Sequence, residues 1–183
     1  MGDKTVFSVP WFDVLERAVD GSAEPHYVVR PPDYVTVLAA TTEGSILLVR
    51  QYRPAVRAET LELPSGHIDG DEYPEGAARR ELAEETGYEA KSFELLGTLN
   101  PDVGRMGNRL WCFYADSATE VQSPVRREAG VALVRCEPRD LLRYVREGKM
   151  THALNMAVLL LAETKGRLPI VRSNGQSKRG TRT

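Results

Sequence analysis

Between Gly66 and Gly87 the sequence reads GHIDGDEYPEGAARRELAEETG, and this stretch limits the possible folds more than any other. Pro74 to Thr86 is predicted to be a helix: Pro74 suits its first turn, Gly87 fits the C-cap, and Ala77, Ala78, Leu82 and Ala83 supply an apolar side. In such a helix Glu81, Glu84 and Glu85 fall at i, i+3 and i+4, on one face. Like charges crowded in this way destabilise a bare helix. They become comfortable when something strongly positive lies against them. A hard divalent cation such as Mg2+ is the natural candidate, because it prefers oxygen ligands and also binds substrate phosphates.

The rest of the chain sets the frame around that helix. Residues 26–30, 34–40, 46–52, 60–64, 91–99, 109–115 and 131–136 read as strands, with Glu43-Gly44 as a hairpin turn. Two further helical patterns follow, Pro138 to Glu147 and Ala153 to Glu163. Strands, a central helix, more strands and terminal helices predict an α+β fold. The 183 residues suggest one domain with an added arm. We divide the chain into an N-terminal arm at 1–33 with a possible dimerisation role, a main domain at 34–170 and a disordered basic tail at 171–183.

Charge and composition exclude several classes of function. The formal net charge of −2 gives no global field for nucleic acid or anionic membrane. No apolar run approaches the roughly 18 residues of a membrane span. MGDKTVFSVPWF has no basic segment followed by an apolar one, so a cytoplasmic protein is expected. Cys112 and Cys136 match no metal spacing and read as buried free thiols.

The register within the acidic stretch is specific. Gly66, Glu72, Arg80, Glu81, Glu84, Glu85 and Gly87 stand at the spacing of the Nudix box, with aliphatic Leu82 and apolar Tyr88 in their places. Seven fixed residues in register have a chance probability on the order of 10⁻⁸ to 10⁻⁹ per starting position. A merely solvated, salt-bridged helix face does not require that register. The chain therefore resembles the Nudix hydrolases. The resemblance implies an α/β/α sandwich with mixed sheets, preceded by the N-terminal strand arm. It also implies hydrolysis of a phosphoanhydride, with Mg2+ or Mn2+ held by Glu81, Glu84, Glu85 and the carbonyl of Ser65. Gly66, Glu72, Arg80 and Gly87 take structural parts in the motif, Arg80 by bracing the carboxylates.

The flanks VRQYRP (49–54) and LELPSG (61–66) resemble the ADP-ribose pyrophosphatase branch. Carried over position by position, Arg53 holds a substrate phosphate, Glu62 bonds substrate or metal-bound water, and Glu128 in RREAG is the candidate base. A surface arginine, a strand glutamate and a solvated loop charge are the plain alternatives. The favoured substrate is ADP-ribose or a similar nucleotide sugar, cleaved to AMP and ribose 5-phosphate, by a protein expected to be a homodimer. The loop Asn100-Pro101-Asp102-Val103-Gly104-Arg105 departs from the branch's Ser-Pro-Gly pattern. That leaves the group beyond the diphosphate open, with Arg105 and Asn108 as candidate contacts. Trp11, Phe12 and Tyr34 are read as core residues, although they could also stack on a base. His67 is read as an exposed loop residue and His152 as a cap or packing residue.

Overall fold

The computed structural model describes residues 2–122 and 127–168. The basic segment 171–183 lies outside the described residues. Strands β1 (Lys4–Val9), β2 (Phe12–Arg17) and β3 (His26–Arg30) form an antiparallel three-stranded sheet. The second sheet contains β4 (Tyr34–Thr41), β5 (Ile46–Arg53), β6 (Ala58–Glu62), β7 (Ser65–His67), β8 (Tyr88–Glu89), β9 (Phe93–Leu99), β10 (Leu110–Glu120) and β11 (Ala132–Cys136). Its path runs β11-β5-β4-β10-β8, with β6 on β5, β7 on β4 and β9 on β10. The β4–β10 pairing is parallel and the others are antiparallel, so the sheet is mixed.

Neighbouring side chains of a strand point to opposite faces, and here they enter different cores. Leu47, Val35, Val37 and Phe113 pack with Ala77, Ala78 and Leu82 of α1 (Pro74–Thr86). Leu48, Leu38 and Leu110 pack with Leu141 of α2 (Pro138–Arg146) and Val158 and Leu159 of α3 (Ala153–Thr164). The expected α/β/α arrangement is the result. Cys112 and Cys136 are buried free thiols, as expected. No helix among the described residues is long and apolar enough to cross a membrane.

Helix α1 starts at Pro74, and Gly87 ends it in the left-handed region at φ 71°, its N–H bonded to Ala83 O. Its buried positions are Ala77, Ala78, Glu81, Leu82, Glu85 and Thr86. They recur one helical turn apart, so a single stripe carries both the core contacts and two carboxylates.

The arm and the loop from Asn100 to Asn108 depart from expectation together. Val29 N donates to Arg105 O and Gly107 N to Val29 O, both at 2.8 Å, so the loop extends the edge of β3. A β-carbon on Gly107 would stand 2.9 Å from Val28 Cγ1, which explains the glycine at this close approach. Asn108 is buried and its amide donates to Pro32 O at 2.9 Å, which ties the end of the loop to the segment before β4. Trp11 and Phe12 are not core residues: they are 69% and 37% exposed. The hairpin between β1 and β2 turns at Pro10-Trp11, which sets Trp11 at the tip of the ribbon, and Phe12 opens β2 of the small sheet.

Candidate active site

Strand alternation and the helical stripe converge on one polar cavity of about 660 Å³. Gln51 and Arg53 of β5 and Glu62 of β6 form one wall. Ser65, Gly66 and His67 of β7 face Glu81 and Glu85 of α1, and Trp11, Tyr34, Asp69, Glu128 and His152 complete the lining. The sequence positions Arg53, Glu62, Ser65, Gly66, Glu81, Glu85 and Glu128 are thus brought together. Glu84 and Arg105 do not line the cavity. Glu84 contacts Arg80, and Arg105 is exposed in the loop docked on β3.

Glu85 is 2% exposed, and its Oε2 accepts the Ser65 backbone N–H at 2.8 Å. Burial pushes its carboxyl up to about 8; the Ser65 bond opposes this, and the charges of Glu81 and Glu128 add to it. Burial also raises Glu81, against the pull of Arg80. A β-carbon at position 66 would fall 2.0 Å from Glu81 Oε1, so any side chain there displaces that carboxylate.

Arg80 is saturated by protein. It bonds Glu72 Oε2 at 2.9 Å, Glu81 Oε1 at 2.6 Å, Glu84 Oε2 at 3.4 Å and the His67 carbonyl at 2.9 Å. These bonds, Glu72 first, raise its already high pKa. Arg80 therefore ties the loop before α1 to the helix.

The second arginine is held differently. Arg53 Nε and Nη2 each bond a different oxygen of Glu62 at 2.8 Å, and Thr60 Oγ1 donates to Glu62 Oε1 at 2.6 Å. Burial works against a charged Glu62, but the bonds from Arg53 and Thr60 outweigh it and hold the carboxyl below its ordinary value. The Nη1 group of Arg53 has no hydrogen-bond partner among the described residues. It remains free to meet an anion.

The metal expectation meets a mixed geometry. Among the described residues no three His, Cys, Asp or Glu side chains already form an ion cage. Glu81 and Glu84 are turned into Arg80 and Glu85 onto Ser65 N. The donor chemistry nevertheless fits a hard cation: two buried carboxylates, raised by burial first and by neighbouring carboxylates second, line the same cavity.

Sequence reading missed Gln51, Thr60 and Asn155. Gln51 stands two residues before Arg53 on β5, so period-two alternation places it on the same face as Arg53. Thr60 is its cross-strand partner. Asn155 is buried in α3 and accepts the Leu63 N–H, a contact between residues distant in sequence that no local pattern announces. His67 is exposed as expected, but it belongs to β7, and Trp11 packs over its ring with centroids 6.4 Å apart. His152 caps α3.

The profile of the family described as "NUDIX domain" matches residues 30–154. An ADP-ribose pyrophosphatase of Bacillus subtilis (strain 168) is 31% identical over 145 residues, which is 76% of this chain and 78% of that protein. A methanol dehydrogenase activator of Bacillus methanolicus is 30% identical over 133 residues, 72% of each. A crystal structure of an ADP compounds hydrolase superposes with a TM-score of 0.76 at 20% identity, covering 91% of this chain and 95% of that one. At that identity the superposition speaks for the fold alone.

Proposed function

The chain belongs to the Nudix family, and from that premise we propose that it hydrolyses a nucleoside diphosphate linked to a sugar, with ADP-ribose favoured. One observation carries the reading: Glu81 and Glu85, buried on the stripe of α1, line the same cavity as an arginine with an unused guanidinium edge. Carboxylates for a cation and a cationic fork for phosphate are the pair that a diphosphate requires.

Glu81 and Glu85, with Glu84 and the Ser65 carbonyl, hold Mg2+ or Mn2+ in this reading. When bound, the ion supplies charge neutralisation and an activated water. Arg53 binds and orients a phosphate, and its own orientation is fixed by Glu62. Glu128 takes the proton of the attacking water. The water oxygen bonds to one phosphorus, the bond from that phosphorus to the bridging oxygen breaks, and the bridging oxygen leaves on the other phosphate. For ADP-ribose the products are AMP and ribose 5-phosphate. The arm at 1–33 is read as a dimerisation element of a homodimer. Its exposed Val6, Phe7 and Tyr27 support this.

The test is product release across ADP-ribose, other nucleotide sugars, nucleoside triphosphates and dinucleoside polyphosphates, with Mg2+ and with Mn2+. ADP-ribose is expected to give the highest kcat/KM, as AMP and ribose 5-phosphate. A preference for triphosphates overturns the substrate assignment, and turnover unaffected by chelator overturns the metal assignment.

A further inference from the structure

Gln51 is 8% exposed and lines the cavity, yet its Nε2 finds no hydrogen-bond partner among the described residues. A buried donor left unmatched costs about 1–3 kcal/mol, so such a group calls for an explanation. Two carboxylates of the same lining are engaged with other donors. Both Glu62 oxygens are taken by Arg53, one of them also by Thr60. Glu85 Oε2 is taken by the Ser65 N–H. A molecule that fills the cavity can supply the acceptor.

A second donor shares that cavity. His152 Nδ1 accepts the Asn155 N–H at 3.3 Å, as the N-cap of α3. A ring nitrogen that accepts carries no proton, so the proton lies on Nε2. With Nδ1 taken by the helix, Nε2 is the remaining donor of a ring that lines the cavity. Burial lowers the imidazole pKa, Glu62 opposes and Arg53 adds to the effect, and the ring is kept neutral.

We propose that Gln51 and His152 bind the hydroxyl groups of the sugar beyond the diphosphate, and that the preferred substrates are those whose second group is polyhydroxylated. The inference rests on the hydrolysis proposed above and identifies residues that read the leaving group. Neutral donors suit neutral hydroxyls, whereas the phosphate charge falls to Arg53. The amide of Gln51 both donates and accepts, as a hydroxyl does.

The test pairs two compounds with two variants. Wild type, Q51M and H152N are assayed on ADP-ribose and on an ADP ester of a simple alkyl alcohol, which lacks those hydroxyls. Methionine keeps the length of glutamine without its polar atoms. Asparagine keeps an N-cap acceptor but lacks the reach of Nε2. Each variant is expected to raise KM for ADP-ribose about 5- to 10-fold, leave KM for the alkyl ester within twofold, and keep the wild-type Tm. Unchanged KM on both compounds, or equal weakening on both, overturns this inference alone. Wild-type protein that cleaves neither compound overturns the hydrolysis reading and this inference with it.

Discussion

Two arginines flank the same cavity, and they have been given opposite surroundings. Arg80 meets three carboxylates and a carbonyl, and protein groups saturate it. Arg53 meets one carboxylate through two N–H groups and leaves Nη1 without a partner among the described residues. Both belong to acidic clusters and both are partly exposed, at 28% and 42% of the side chain. The difference lies in unused hydrogen-bonding capacity. An arginine saturated by its own protein fixes a scaffold, whereas one with unused donors can take a ligand without breaking anything.

The largest effect expected lies between the two, at Glu85. Glu85→Gln should lower kcat by roughly 10² to 10³-fold, the several kcal/mol ascribed to metal-assisted catalysis. It should keep or raise Tm, because an amide removes the cost of burying an ionisable carboxyl. Near-wild-type turnover sinks the metal assignment. Next come the arginines themselves. Arg53→Lys should raise KM roughly 10-fold or more by losing the planar fork, with the Mg2+ requirement unchanged. Arg80→Lys should instead raise the Mg2+ needed for half-maximal rate roughly 10-fold or more, as loss of an outer support does, with KM for substrate little altered. Titrations of metal and substrate for both variants separate the two roles. If the variants exchange behaviours, Arg53 is the brace and Arg80 the phosphate ligand.

The smallest effect is in the pH dependence of stability, and it distinguishes two buried carboxyls, Glu85 and Glu62, by sign. Glu85 in the folded, metal-free protein titrates near 8, against an ordinary 4.5. Between those values the folded state holds a proton that the unfolded state has released, so its contribution is full below about 4.5 and is lost as pH rises towards 8. Glu62 is lowered by Arg53 and Thr60 against burial, so its contribution is present above its ordinary value and is lost as pH falls through the lowered one. Melting curves of the metal-free protein from pH 3 to 8.5 should decline at both ends, with Glu85→Gln lessening the alkaline decline, to which Glu81 also contributes, and Glu62→Gln lessening the acid one. If Glu85→Gln leaves the alkaline slope in place, the burial assigned to that carboxyl is incorrect.

Local chemistry explains how much of this was legible in the sequence. Helix α1 could be read from Pro74, Gly87 and the charged register, because each acts within one or two turns. β4 and β5 could be read from their β-branched runs. β1 and β2 escaped because their exposed faces, such as Lys4 to Ser8, blur the alternation. The site divides along the same line. Glu81 and Glu85 follow from the helix, but the turning of Glu84 into Arg80 and the unmatched amide of Gln51 depend on packing between distant segments. The departing loop from Asn100 to Asn108 suggested a different substrate contact. Its backbone is committed to β3.

That commitment has a consequence for how the molecule is made. His26 meets the Gly104 carbonyl across 78 residues of chain. During synthesis the arm emerges first, but its edge pairing has no partner until the loop follows, roughly 4 to 15 s later at ordinary elongation rates. The entropy of closing so long a loop favours forming it after the intervening strands have paired. The N-terminal arm is therefore expected to be the last part of the fold to dock, and until then it carries an unpaired edge beside exposed aromatic residues.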